Sequence, residues 1–333
     1  MCESHQGHKH GHHHGPELVN NARPDDFRVV VTGKGGVGKT SLTALLARSL
    51  ARQSWRVLAL DADPQMNLPY ALGLPTERAR ELVPLSENAD YVEEKTGARP
   101  GQGWGLFFRL NPDVDDVVER FGVMAPDTVR LLVMGNTVQP AAGCLCPENA
   151  LLAAVVNAIA LRRDEAILMD TQAGFEHFGR ALARGFRHAV VVTDTTFNGL
   201  QVALHAARLA EQLDIGAIHL VVNNVRQPDD FERTLQRLGA EGGFRFASIH
   251  SLPHDESLRR CEPSVAPLIE DPDSSLAKSL AHLLAELIRE QEGGVGTAAG
   301  RPPGTGIPEQ QFSSKTEEHV SCVSRFSEPA PPA

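Results

Sequence analysis

Seven short apolar runs punctuate the first 250 residues: 27–32, 56–60, 129–134, 165–170, 189–193, 217–223 and 244–249. Most are continuous stretches of Val, Ile, Leu and Ala, the pattern of strands buried on both faces. Helical periods fall between them, at 41–51, 150–161, 200–212 and 231–238, with a last one at 275–291. Strand alternating with helix demands crossover connections, so the expected class is α/β, a three-layer fold with a mostly parallel twisted sheet flanked by helices. Residues 73–105 are rich in Glu, Arg, Pro and Gly without a long apolar period, and read as a peripheral excursion.

The pattern is absent at both ends. Residues 1–26 hold His5, His8, His10, His12, His13 and His14 among glycines, and residues 292–333 are rich in Gly, Pro and Ser. Neither segment can bury a core, so both are expected to be disordered around one folded domain at 27–291. The head's imidazoles suit weak binding of Ni²⁺, Zn²⁺ or Cu²⁺. Its irregular spacing, broken by Gln6, Gly7, Lys9 and Gly11, differs from an engineered tag.

Charge removes some functions. A formal net charge of -10 at pH 7 argues against a general nucleic-acid surface. No apolar run approaches the length of a membrane span and the N-terminus is no secretory signal. Five cysteines in 333 residues form no disulfide scaffold. A cytoplasmic protein is the expectation.

The candidate chemistry begins where the first strand ends. Gly33-Lys34-Gly35-Gly36-Val37-Gly38-Lys39-Thr40, followed by Ser41, completes the G-x-x-x-x-G-K-[ST] pattern of a phosphate-binding loop between strand and helix. Glycines let successive backbone N–H groups and the helix N-terminus face one phosphate. Lys39 is placed to reach the β- and γ-phosphates of ATP, and the Thr40 hydroxyl to ligand Mg²⁺. Asp61 and Asp63 leave the carboxyl end of the second strand, where either can orient a magnesium-bound or attacking water. Asp170 ends the 165–170 strand where it is placed to hold Mg²⁺ through water, with Thr171 to Gly174 as the segment that senses the γ-phosphate.

The octet with its early lysine resembles the deviant phosphate loop of the ParA/MinD class of ATPases. That resemblance implies that Lys34 reaches the partner's nucleotide across a homodimer closed on ATP. The Asp61-Ala62-Asp63-Pro64 spelling resembles the same class and implies that Asp63 activates the attacking water.

Cys144 and Cys146 stand just before the 150–161 helix, with Pro147 suited to its first turn, so both are expected in the preceding loop. Two thiolates half-fill a four-coordinate site, and a two-fold dimer would complete it. At this point the chain resembles the CooC-type nickel-insertion ATPases that mature carbon monoxide dehydrogenase. The residues that carry the resemblance are the phosphate loop, Asp61 to Pro64, Leu110 to Pro112 with Val114 to Asp116, Gly143 to Ala150, and Asp170-Thr171 with Ala173 to Arg180. It implies ATP-driven delivery of Ni²⁺ to the apo-enzyme, with Cys144 and Cys146 of two protomers sharing one metal. Ni²⁺ and Zn²⁺ both remain open as the ion on ligand grounds. Gln172 departs from the acidic residue expected in this branch, and His177 is a candidate switch residue.

For the base, Asn223 or Asn224 can meet the adenine edge, with Pro253 to Glu256 as a second loop on that side. Three readings compete with carbon monoxide dehydrogenase maturation. They are a nickel-insertion ATPase for acetyl-CoA synthase, a ParA/MinD-like positioning ATPase, and a nickel store. A positioning ATPase needs a basic face or basic amphipathic helix. The scattered Lys278, Arg289, Arg301, Lys315 and Arg325 do not supply one.

Overall fold

The computed structural model describes residues 26–99, 109, 112–135, 146–159, 164–173, 182–241 and 244–293, with backbone alone at 146–149 and 293. The histidine head, Cys144, His177 and the tail beyond 293 lie outside the described residues.

The strands are β1 (Phe27–Gly33), β2 (Arg56–Ala62), β3 (Val123–Met124), β4 (Arg130–Val133), β5 (Glu165–Thr171), β6 (His188–Thr193), β7 (Ala217–Val225) and β8 (Ser248–Pro253). They form one sheet in the order β3-β4-β2-β5-β1-β6-β7-β8. Every neighbouring pair is parallel except β3 with β4 at the edge. The helices are α1 (Lys39–Arg52), α2 (Leu68–Ala71), α3 (Thr76–Arg80), α4 (Ala89–Thr96), α5 (Val117–Phe121), α6 (Cys146–Ala158), α7 (Phe197–Gln212), α8 (Pro228–Ala240), α9 (Ser257–Cys261) and α10 (Ser275–Gly293).

Side chains of a strand alternate between faces, and here both faces are covered. Val29, Val31 and Ala59 join Leu42, Leu46 and Leu50 of α1 and Leu280, Leu283 and Leu287 of α10 on one side. Val30, Leu58 and Leu60 join α4, α6 and α7 on the other. That is why the strand runs are continuously apolar. Each fully buried leucine contributes about 1.5–3 kcal/mol relative to exposure.

Two buried polar devices tie the amino ends of the strands to helix ends. Arg28 of β1, fully buried, donates to the carbonyls of Val156 (2.6 Å) and Ile159 at the end of α6 and pairs with Asp26 at 2.9 Å. It thereby answers carbonyls that a helix C-terminus leaves open. Across β6, β7 and β8, Gln291 Oε1, His188, His219, Ser248 and His250 form one hydrogen-bonded chain. Burial first of all holds His188 at about 4 and His219 at about 3, so both rings are neutral.

Three expectations need correction. The last strand is 248–253, not 244–249: Phe244 and Phe246 alternate with polar residues as a strand would. Instead their rings meet at a tilt, 4.8 Å between centroids, and pack against the core from outside the sheet. The strand's buried side chains are His250 and Leu252. Residues 73–105 are not wholly peripheral, since Tyr91 and Val92 of α4 are buried in the core. Finally, Cys146 is the first residue of α6, one turn earlier than the apolar period suggested and outside the predicted loop.

Candidate nucleotide site

The sheet order turns around β1, with β5 and β2 on one side and β6 and β7 on the other. In such a sheet the ligand crevice lies beyond the carboxyl ends at that reversal. The glycine-rich loop sits there, leaving β1 at Gly33 and entering α1 at Lys39. Gly33 has φ 144° and lies so close to Val192 O of β6 that a side chain would strike backbone. Gly38 has φ 95°, a left-handed turn that swings the chain into α1, and faces the amide of Asn223. Val37 is buried beneath the loop while Gly35 and Gly36 are exposed. Lys34 and Ser41 are half-buried.

Lys39 is buried and donates from Nζ to its own loop at Lys34 O, 3.1 Å away. Burial lowers its pKa, while the fields of Asp170 and Asp63 act to hold the charge. The Thr40 hydroxyl donates to Asp170 Oδ2 at 2.6 Å. One turn on, Thr43 Oγ1 lies 3.5 Å from Asp170 Oδ1 and donates to Lys39 O at 3.0 Å. Thr43 was not singled out from the sequence, yet its position three residues after Thr40 put it on the same helix face.

Asp61 and Asp170 are register partners on β2 and β5, and both are fully buried. Burial lifts Asp170 to about 7 against the opposing pull of Thr40 and Lys39. Asp61 is held well above the carboxylate range by burial and then by Asp170. Asp61 also accepts backbone N–H bonds from Asp63 and Leu68, both at 3.1 Å, and so shapes the turn that presents Asp63. Asp63 is half-buried and accepts from Gln65 N at 2.9 Å.

The fit to Mg²⁺ follows from the donors. A hydroxyl and a carboxylate are hard oxygen ligands, and neighbouring ligands on octahedral Mg²⁺ stand about 2.9 Å apart. The Thr40 hydroxyl and the Asp170 carboxylate, joined by a 2.6 Å hydrogen bond, gather two such donors at one point. Among the described residues, no group of three or more His, Cys, Asp or Glu converges as a metal centre.

On the base side, Asn223 Nδ2 donates to Val37 O at 2.8 Å, tying the end of β7 to the loop. Asn224, at φ 62°, has its Oδ1 2.6 Å from His254 Nδ1, beside Pro253 at the end of β8. The structure thus brings the loop, Asp61, Asp63, Asp170 and Asn223 together, with Asn224 and Pro253 at the adjoining strand ends. Gln172 is exposed just after β5. The side chains of Cys144 and Cys146 lie outside the described residues.

Residues 28–267 match the family described as the CobQ/CobB/MinD/ParA nucleotide binding domain. The chain belongs to this family. Within it, the chain is a homologue of the carbon monoxide dehydrogenase accessory protein CooC of Rhodospirillum rubrum, with 37% identity over 236 residues, 71% of this chain and 87% of CooC. An uncharacterized ATP-binding protein of Methanocaldococcus jannaschii is 34% identical over 263 residues, 79% of this chain and 98% of its own length. The fold matches the cell division ATPase MinD of Pyrococcus furiosus (TM-score 0.57, 22% identity, 80% of this chain and 99% of that one). It likewise matches the septum site-determining protein MinD of Pyrococcus horikoshii complexed with Mg-ADP (TM-score 0.57, 20% identity, 81% and 98%). No described helix is long and apolar enough to cross a membrane.

Proposed function

We propose that this chain is a magnesium-dependent ATPase that delivers nickel to carbon monoxide dehydrogenase during maturation, acting as a homodimer closed on ATP. The carrying observation is the Thr40–Asp170 pair beneath the loop, with buried Lys39 beside it. Homology to CooC supports the choice of client.

The loop amides from Gly35 to Thr40 and the start of α1 bind the phosphates, with Ser41 just behind them. Lys39 exchanges the Lys34 carbonyl for the β- and γ-phosphate oxygens. Thr40 would hold Mg²⁺ directly and Asp170 would hold it through water, and the ion would supply charge neutralisation at the β- and γ-phosphates. Asp61, its oxygens engaged by backbone, supports this pair through water and positions Asp63. Asp63 orients a water whose oxygen attacks the γ-phosphorus as the bond to the bridging oxygen breaks. Lys34 of each protomer reaches the other's nucleotide. Asn223, Asn224 and Pro253 frame the base.

Nickel is cargo in this scheme. Cys144 and Cys146 of two protomers hold one ion, with Zn²⁺ as its competitor, and the head histidines gather Ni²⁺ weakly. An ion held equally in open and closed dimers cannot be moved by the cycle, so closure must change the thiolate site's affinity. The test supplies Ni²⁺ and this chain to nickel-free carbon monoxide dehydrogenase. Activation is expected with ATP, and neither with a non-hydrolysable analogue nor with Asp63→Asn. Activation indifferent to nucleotide, or obtained with acetyl-CoA synthase alone, overturns the reading.

A further inference from the structure

The chain of buried rings at the amino ends of β6, β7 and β8 has a direction that the hydrogen bonds dictate. Gln291 Oε1 can only accept, so His188 Nε2 carries a proton at 3.0 Å and His188 Nδ1 does not. His219 Nε2 therefore donates to His188 Nδ1 at 3.2 Å, and its own Nδ1 accepts from Ser248 Oγ at 2.7 Å. Having given its proton to His219, Ser248 accepts from His250 Nε2 at 2.7 Å. The chain ends on an unprotonated His250 Nδ1, for which no hydrogen bond is found among the described residues. The ring of His250, 6% exposed, meets the ring of His282 on α10 at 5.4 Å between centroids and 62° between planes. His282 is exposed.

We propose that His250 and His282 form a surface site for a divalent transition metal, bound through His250 Nδ1 and one ring nitrogen of His282. Imidazoles on a tetrahedral ion, at about 2.0–2.1 Å from metal to nitrogen, hold their centroids roughly 5 Å apart. The observed 5.4 Å needs little adjustment. A ligating histidine characteristically gives its other N–H to a fixed acceptor, which sets the tautomer. Ser248 is that acceptor, and Gln291, His188 and His219 fix the direction in which its own proton points. Glu286 stands one turn along α10 from His282, paired with Arg289, and its field reaches His250. No third His, Cys, Asp or Glu converges here among the described residues, so water takes the remaining positions. Two imidazoles with open positions suit Ni²⁺, Zn²⁺ or Cu²⁺ held exchangeably. The site is independent of the maturation reading and of Cys144 and Cys146.

The test uses the full-length chain carrying His→Asn at positions 5, 8, 10, 12, 13 and 14 together with Cys144→Ser and Cys146→Ser, which removes the other expected nickel ligands, in excess Mg²⁺ to occupy the Thr40 and Asp170 site. Titrated with Ni²⁺ alone, this protein is expected to bind one ion per chain, and nitrogen NMR of the imidazoles to shift His250 Nδ1. Adding His282→Ala, on the exposed side of α10, should weaken binding at least 10-fold. Ser248→Ala should weaken it by about 10-fold or more through the freed tautomer, with His282 intact. An unaltered circular dichroism spectrum and melting curve would certify both variants as folded. No binding by the starting protein, or affinity unchanged by His282→Ala, overturns the site. Either result leaves the maturation reading standing, because that reading needs neither histidine.

Discussion

The two ends of the sheet bury polar groups in opposite ways. At the carboxyl ends of β1, β2 and β5, Asp61 and Asp170 are sealed from water without enough positive charge nearby, and burial pushes both upward. At the amino ends of β6 and β7, His188 and His219 are as deeply buried, yet their ring nitrogens find partners and the rings stay neutral. The first arrangement is electrically incomplete and the second is closed. Buried carboxyls whose ionised form the fold leaves uncompensated mark the place where a cation and a polyanion belong. A satisfied network marks a joint between elements, open only at its outer end.

The largest expected effect lies at the incomplete end. Lys39→Ala removes the ammonium meant for the phosphates, and nucleotide affinity measured by calorimetry should fall beyond 100-fold. Asp63→Asn should retain ATP and the closed dimer while slowing cleavage on the order of 100-fold, because it removes a group that orients water without touching phosphate. Failure of that variant to bind ATP would place Asp63 with the magnesium ligands instead. Lys34→Ala sharpens the comparison between protomers. Binding should stay near wild type while hydrolysis and ATP-dependent dimerisation fall together, as followed by turnover and light scattering.

The smallest effects are those on stability, and here the two ends differ in sign. Asp170 titrates higher folded than unfolded, so the folded chain holds more protons and the ligand-free protein loses stability as pH rises from about 4 to about 7. His188 titrates lower folded than unfolded, so its contribution is present above pH 6.5 and is lost as pH falls towards about 4. Asp170→Asn should therefore raise the melting temperature of the ligand-free chain at pH 7.5. Replacing His188 by Asn should lower it at pH 7.5 and flatten the acid side of the curve. Melting curves across pH 4–8 check both signs.

How far the sequence disclosed these ends also differs. The phosphate loop was legible because it needs a fixed spelling: glycines where a side chain would strike β6 at position 33 and Asn223 at position 38, and a lysine and threonine one after the other. The carboxylates were legible because each closes an apolar run. The histidine chain was not. His188 and His250 fall just outside the apolar runs, the first two histidines stand 31 positions apart, and only the parallel register, with an offset of two residues at each step, brings the three onto one face. The same blindness misplaced β8, since Phe244 and Phe246 carried a stronger apolar signal than a strand whose inward residues are His250 and Leu252. Asn223 was expected at the base, and its bond to Val37 O could be seen only once β7 lay beside the loop.

The central claim is that the carboxyl ends of the sheet are completed by magnesium and ATP. The most direct measurement is ATP turnover by the purified full-length chain, with and without Mg²⁺, beside Asp170→Asn. The account predicts turnover that requires Mg²⁺ and is lost in Asp170→Asn, although that variant is the more stable protein without ligand. Turnover that persists in Asp170→Asn, or that proceeds without a divalent cation, would contradict it.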